Sequence, residues 1–196
     1  LEVNTTLQSI NLSNNQLCGI NEFGVGRYTA EGIIQIAEAL KVNKTLQSID
    51  VDGHPLPIKQ LKGDVPTESI DLSNKRLNVA SAVIIASLIG SNSVTKSLSL
   101  AGNYICARGN MEGITALCEM LKVNSTLQSI SLARNGICAG GNMEGITALC
   151  AMLKVNSTLQ SINLAGNSIC GNGEMAGLTE HQFAQEPPGQ GGRQLR

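Results

Sequence analysis

"MEGITALCEMLKVNSTLQSISLARNGIC", Met111 to Cys138, returns almost unchanged as "MEGITALCAMLKVNSTLQSINLAGNSIC", Met143 to Cys170. Set in register, Cys106–Ile137 and Cys138–Ile169 differ at only five offsets: Arg108/Gly140, Glu119/Ala151, Ser131/Asn163, Arg134/Gly166 and Gly136/Ser168. So little drift points to duplication of one structural unit, and that unit's physics governs the reading of the chain.

The phrase "TLQSI" sits at four places, and around it runs one template, L-x-x-L-x-L-x-x-N-x-L. Leu7, Ile10, Leu12, Asn15 and Leu17 make the first copy; Leu127–Ile137 and Leu159–Ile169 are full matches. Leu98, Leu100, Asn103 and Ile105 match from the second position, with Thr95 at the first. Weaker copies start at Leu46 and Thr67, where His54 and Lys75 replace the template Asn. Alternation in "SINL" and "SISL" predicts a short strand with Ile and Leu inward. Met111, Ile114, Leu117, Cys118 and Leu121 then recur at helical spacing, with Glu112 and Lys122 off that stripe. Neither half buries its apolar side alone, whereas stacked units do.

The template and the helical half of each unit resemble those of leucine-rich repeat proteins, in particular the ribonuclease-inhibitor-like subclass that includes the C-terminal repeats of NLR-type receptors. The resemblance implies an α/β horseshoe solenoid of about six repeats over residues 1–178, parallel strands on the concave face and helices on the convex face. Template spacings are 39, 21, 28, 32 and 32 residues, and the short step holds an irregular unit at 52–66. There Pro55, Pro57 and Pro66 argue against a regular helix, Leu56, Ile58 and Leu61 are assigned to the core, and loosened stacking is expected. The chain opens mid-repeat and is read as a fragment of something longer. Residues 179–196, ending "QEPPGQGGRQLR", form a tail expected to be disordered.

Composition narrows the function. Net charge is −1 and the bases are mixed among the acids, so there is no basic footprint for nucleic acid. No apolar run reaches membrane-spanning length. Two histidines, His54 and His181, and no C-x-x-C pair leave no metal site, cofactor or catalytic set to assemble, and no small-molecule substrate is expected. The six cysteines follow the repeat and read as small buried fillers, reduced, in a cytoplasmic setting. Asn4, Asn43, Asn124 and Asn156 form sequons in one slot that Asn92 shares without a sequon, and Asn11 forms a fifth. The slot reads as a helix C-cap using the left-handed conformation that Asn tolerates.

What remains is the strand-lined surface, where template offsets 3, 5, 7 and 8 are expected to point into the concavity. Its small residues are interrupted twice, by an acidic patch of Asp50, Asp52, Glu68 and Asp71 and by a mixed patch of Lys96, Tyr104 and Arg134. The expected function is a non-enzymatic protein-binding module within a larger cytoplasmic recognition or scaffold protein, its partner protein unknown. Two alternatives stand beside it: a GTPase activator of the Ran-type class, which the subclass also includes, and an inert spacer.

Overall fold

The computed structural model describes residues 4–15, 17–19 and 28–169. The tail, and the last partial unit from Cys170, lie outside the described residues. Strands and helices alternate: β1 Ser9–Asn11, α1 Glu31–Val42, β2 Ser48–Asp50, β3 Pro55–Pro57, α2 Ile58–Lys62, β4 Ser69–Asp71, α3 Val79–Ile89, β5 Ser97–Ser99, α4 Glu112–Val123, β6 Ser129–Ser131, α5 Glu144–Leu153 and β7 Ser161–Asn163.

Six of these strands begin at the template Ser, and they stack in register, Ser69 on Ser97 on Ser129 on Ser161. The central Ile or Leu of each inner strand is buried, so every coil adds one apolar layer. Helix α4 turns Ile114, Leu117 and Leu121 inward and leaves Glu112 and Glu119 in solvent, as its periodicity requires. Its second residue has to be glycine: a Cβ on Gly113 would fall 2.5 Å from the carbonyl oxygen of Ile105. Gly145 plays the same part in α5, against Ile137. Helix α3 differs from the others, since "VASAVIIASLI" has no charged residue and ten of its eleven side chains are buried. It lies between α1 and α4, which pack on it from both sides.

The strands do not form one sheet. β1 and β2 run parallel, but β3 turns back and pairs antiparallel with β2, Ile49 opposite Leu56. Both sides of β2 are then occupied, and β4 starts a second, wholly parallel sheet, β4-β5-β6-β7. Proline chemistry accounts for the break. Ile58 donates its N–H to the Gln47 carbonyl at 3.0 Å, so by antiparallel alternation Leu56 also faces β2, and Pro55 and Pro57 face outward. The outer edge of β3 therefore offers no N–H there for a further strand. The prolines do leave room for a five-residue helix, α2, between them and Pro66.

The core, by contrast, does not loosen at this point. Leu56, Ile58 and Leu61 are at most 1% exposed and belong to one apolar cluster running from Ile33 to Met152. Stacking is sustained there by side chains while the backbone ladder is interrupted, which corrects the expectation of a weakened junction.

Candidate functional site

Two ranks of asparagine hold the strands on either side. At the template position, the Asn103 amide donates to the carbonyls of Leu72 and Leu100 at 2.9 and 2.8 Å and accepts from the N–H groups of Lys75 and Leu77. Asn135 and Asn167 repeat the pattern one and two coils on. Each side chain satisfies backbone groups of two coils that would otherwise be buried without partners.

The second rank is the sequon slot. In Asn4, Asn43, Asn92, Asn124 and Asn156 the side-chain oxygen accepts from the N–H groups two and three residues on, at 2.7–3.0 Å. From Asn43 onward the amide nitrogen also reaches back to a carbonyl of the preceding coil: Asn43 to Asn4, Asn92 to Gln60 and Leu61, Asn124 to Ile89 and Asn92, Asn156 to Leu121. The conformation differs from the expected left-handed cap. Asn43 and Asn124 are extended, with φ of −69° and −71°. Asn serves the slot through its side chain, closing a turn and bridging two coils. The nitrogen that a glycan would occupy is thus engaged, and Asn43 and Asn124 are buried.

Between these ranks lie the expected site residues, and the structure divides them. Asp50 is half-buried on β2 and accepts the Gly53 N–H at 2.6 Å. Asp71 is exposed on β4, across the sheet break, and takes hydrogen bonds from the N–H and hydroxyl of Ser73, which hold its carboxyl below the usual carboxylate range. Glu68 and Lys96, one coil apart, form an exposed ion pair at 2.8 Å, and the Lys96 hydrogen bond lowers the Glu68 pKa.

Asp52 departs from its expected role. Its carboxylate does not stand free on the concave face but accepts the N–H groups of Asn78 and Ser81 at 2.9 and 3.2 Å, capping the N-terminus of α3. Asn78 is the helix's own N-cap, accepting from Ala80, and Asp52 satisfies two further donors from the other side of the sheet break. Burial raises the Asp52 pKa and outweighs the hydrogen bonds that lower it. A capping role across units gives no local sequence signal, because Asp52 and Asn78 are 26 residues apart.

The mixed patch follows the turn geometry. Template offset 8 is left-handed in all six copies, at Asn14, Gly53, Asn74, Gly102, Arg134 and Gly166. That explains the Gly and Asn found there, and it makes Arg134, at φ 53°, the costly exception. This offset is a turn position, not a strand position pointing into the concavity. Tyr104 lies just past it in the preceding coil, 57% exposed, its N–H fixed on the Leu77 carbonyl at 2.7 Å.

Cys18, Cys106, Cys118 and Cys150 carry free thiols, and burial pushes those of Cys106 and Cys118 up to about 12. Among the described residues no cluster of His, Cys, Asp and Glu is placed to hold a metal ion, and no helix is long and apolar enough to cross a membrane.

A family model, Leucine Rich Repeat, matches residues 6–26; the coils after it repeat the strand and helix, and those from β5 onward repeat the Asn ladder. The fold is a leucine-rich repeat solenoid. This solenoid is similar to the structure titled "Leiomodin-1 Actin-Binding Site 2 (ABS2)", at 22% identity and a TM-score of 0.42, covering 80% of this chain and 69% of that one. It is also similar to the tropomodulin C-terminal domain from Caenorhabditis elegans, at 15% identity and a TM-score of 0.43, covering 86% of this chain and 79% of that one. No curated protein matches it.

Proposed function

We propose that the chain is a protein-binding module, one segment of a larger cytoplasmic recognition or scaffold protein of the ribonuclease-inhibitor-like subclass, and that it binds through Glu68, Asp71, Lys96, Tyr104 and Arg134. The subclass reading is supported by helices of ten to twelve residues in four of the described units. The observation that carries the binding reading is Tyr104. It is a large aromatic, more than half exposed, on a backbone pinned by a hydrogen bond to the neighbouring coil. Exposed Tyr and Arg are the residue types that anchor interfaces, and a frame held by two Asn ranks presents them at small ordering cost. Asp50 flanks this surface across the sheet break, while Asp52 belongs to the frame.

The test is a cross-linking pull-down with the whole chain, a Tyr104→Ala/Arg134→Ala variant and a Glu68→Gln/Asp71→Asn variant, leaving Asp52 untouched. Circular dichroism establishes that all three fold alike. Loss of the same captured protein from both variants supports the reading. Retention of identical proteins by all three would mean that these side chains merely solvate the face.

A further inference from the structure

The convex side of the solenoid carries a depression of about 680 Å³ bounded by α1, α3 and α4. Its origin is visible in the sequence of α3. The regular solenoid would place a full helix between α1 and α3, but α2 has five residues, and α1 packs directly on α3. Where neighbouring helices raise charged side chains into solvent, α3 offers Val83, Ala86, Ser87 and then Gly90, so the floor is low and apolar. The walls are apolar as well: Ile34 on α1 is 44% exposed and Val123 on α4 is 74% exposed. The Ser87 hydroxyl is buried in this floor with no hydrogen-bond partner.

The rim is acidic. Three of the lining residues are Glu38, Glu112 and Glu119, against one base, Lys41. Lys41 and Lys122 each pair with the Glu three residues before it on their own helix. Among the described residues this leaves Glu112 beside the groove with no ion pair. An apolar floor inside an acidic rim is the complement of an apolar stripe flanked by bases. The floor runs from Val83 to Gly90, about 12 Å at 1.5 Å per residue, so it accommodates about two turns of a docked helix, with anchors at i, i+3 or i+4 and i+7.

We propose that this convex groove docks one face of a short basic amphipathic helix from a partner protein. The small apolar anchors of that helix enter over Ala86 and Gly90 between Ile34 and Val123, and a Lys or Arg head reaches Glu112, the rim glutamate with no ion pair among the described residues. The surface is separate from that of Tyr104 and Arg134 and does not depend on it.

The probe is a fluorescein-labelled amphipathic peptide of about 15 residues, long enough to form a helix, with Ala and Leu on one face and Lys elsewhere. A scrambled peptide of equal composition and a version with Glu for Lys serve as controls. Anisotropy titrations use the full chain, an Ile34→Ser/Val123→Ser variant, a Glu112→Gln variant and the Tyr104→Ala/Arg134→Ala variant, all checked by circular dichroism. The Lys peptide is expected to bind the wild-type chain, to weaken by about tenfold or more when both wall residues are cut back, and to weaken less in Glu112→Gln. It should be unaffected by the Tyr104→Ala/Arg134→Ala substitutions. Absence of binding, equal binding of the scrambled peptide, or an unchanged Kd in Ile34→Ser/Val123→Ser overturns the proposal. Loss of binding in the Tyr104→Ala/Arg134→Ala variant alone overturns it too, because it would place the peptide on the surface those residues form.

Discussion

Replacing Asp52 by alanine should loosen the N-terminus of α3 and with it the only carboxylate cap seen across the sheet break among the described residues. The carboxylate accepts two N–H groups, from Asn78 at 2.9 Å and Ser81 at 3.2 Å. A lost helix cap costs about 0.5–2 kcal/mol, and a buried donor left without a partner about 1–3 kcal/mol. Burial of the charge already offsets part of the gain, as the raised pKa of Asp52 records, so the net loss expected is about 2 kcal/mol. Asp52→Asn keeps an acceptor oxygen and removes the charge, and its cost should stay below about 1 kcal/mol. Urea denaturation followed by circular dichroism measures both variants. Amide hydrogen exchange localises the effect: at the Ser81 N–H, about 2 kcal/mol corresponds to exchange roughly 30-fold faster in the alanine variant.

The pH dependence supplies a second reading of the same residue. The folded-state pKa of Asp52 lies above its ordinary value of 3.8. Its contribution to stability is therefore fully present below that value and is lost as pH rises through the folded pKa. The asparagine variant lacks this loss, so relative to wild type it should gain stability as pH rises from about 4 to 7. Wild type gaining on Asn over that window would show that the hydrogen bonds outweigh burial and refute the raised pKa, whereas an alanine variant with unchanged Ser81 exchange would refute the capping argument.

Four further outcomes follow from the same packing. Asn124→Ala removes the acceptor for Thr126 and Leu127 and the donor to Ile89 and Asn92 and should cost about 2–4 kcal/mol in urea denaturation. Folded chain recovered from a secretory host should, by mass spectrometry, carry no glycan at Asn43 or Asn124. Gly113→Ala reverses the usual helix gain of about 1 kcal/mol: the new Cβ would meet Ile105 oxygen at 2.5 Å and Ala82 Cβ at 3.1 Å, and a loss of about 1–3 kcal/mol is expected. Cys106 and Cys118, with thiols pushed up to about 12 by burial, should resist iodoacetamide at about pH 8 until urea unfolds the chain. Labelling of both in the native protein would show that their layers open.

Much of the frame was legible because its signals are local. Ser at the start of each strand, Ile or Leu at its centre and the 3-4 spacing of Ile114, Leu117 and Leu121 are set by periods of 2 and 3.6 residues, which a single segment displays. Leu56, Ile58 and Leu61, assigned to the core of the irregular unit, are buried there. The charge-free run Val79–Ile89 was an available sign of a helix buried nearly all round, and read as such it would have pointed to the depression on the convex side.

The expected binding surface was less legible, and Asp52 shows why. On sequence it is one more acid beside Asp50 and Asp71. Its role depends on which N–H groups lie within about 3 Å, and those come from a helix one coil away. The sequon slot shows the same limit in milder form: the recurrence of Asn was visible, but the carbonyls of the preceding coil that select Asn over Gly were not.

The sequence by itself determined the stacking unit, the position of each strand within it and the apolar layers, since these follow from the alternation and spacing of residues near one another in the chain. Only the tertiary structure decided that two outward prolines split the sheet, that Asp52 holds a helix across the split, and that α1 and α4 flank a low apolar floor on α3. Each of these depends on which groups from distant segments come within bonding or contact distance, and that distance is set by the folding of the whole solenoid.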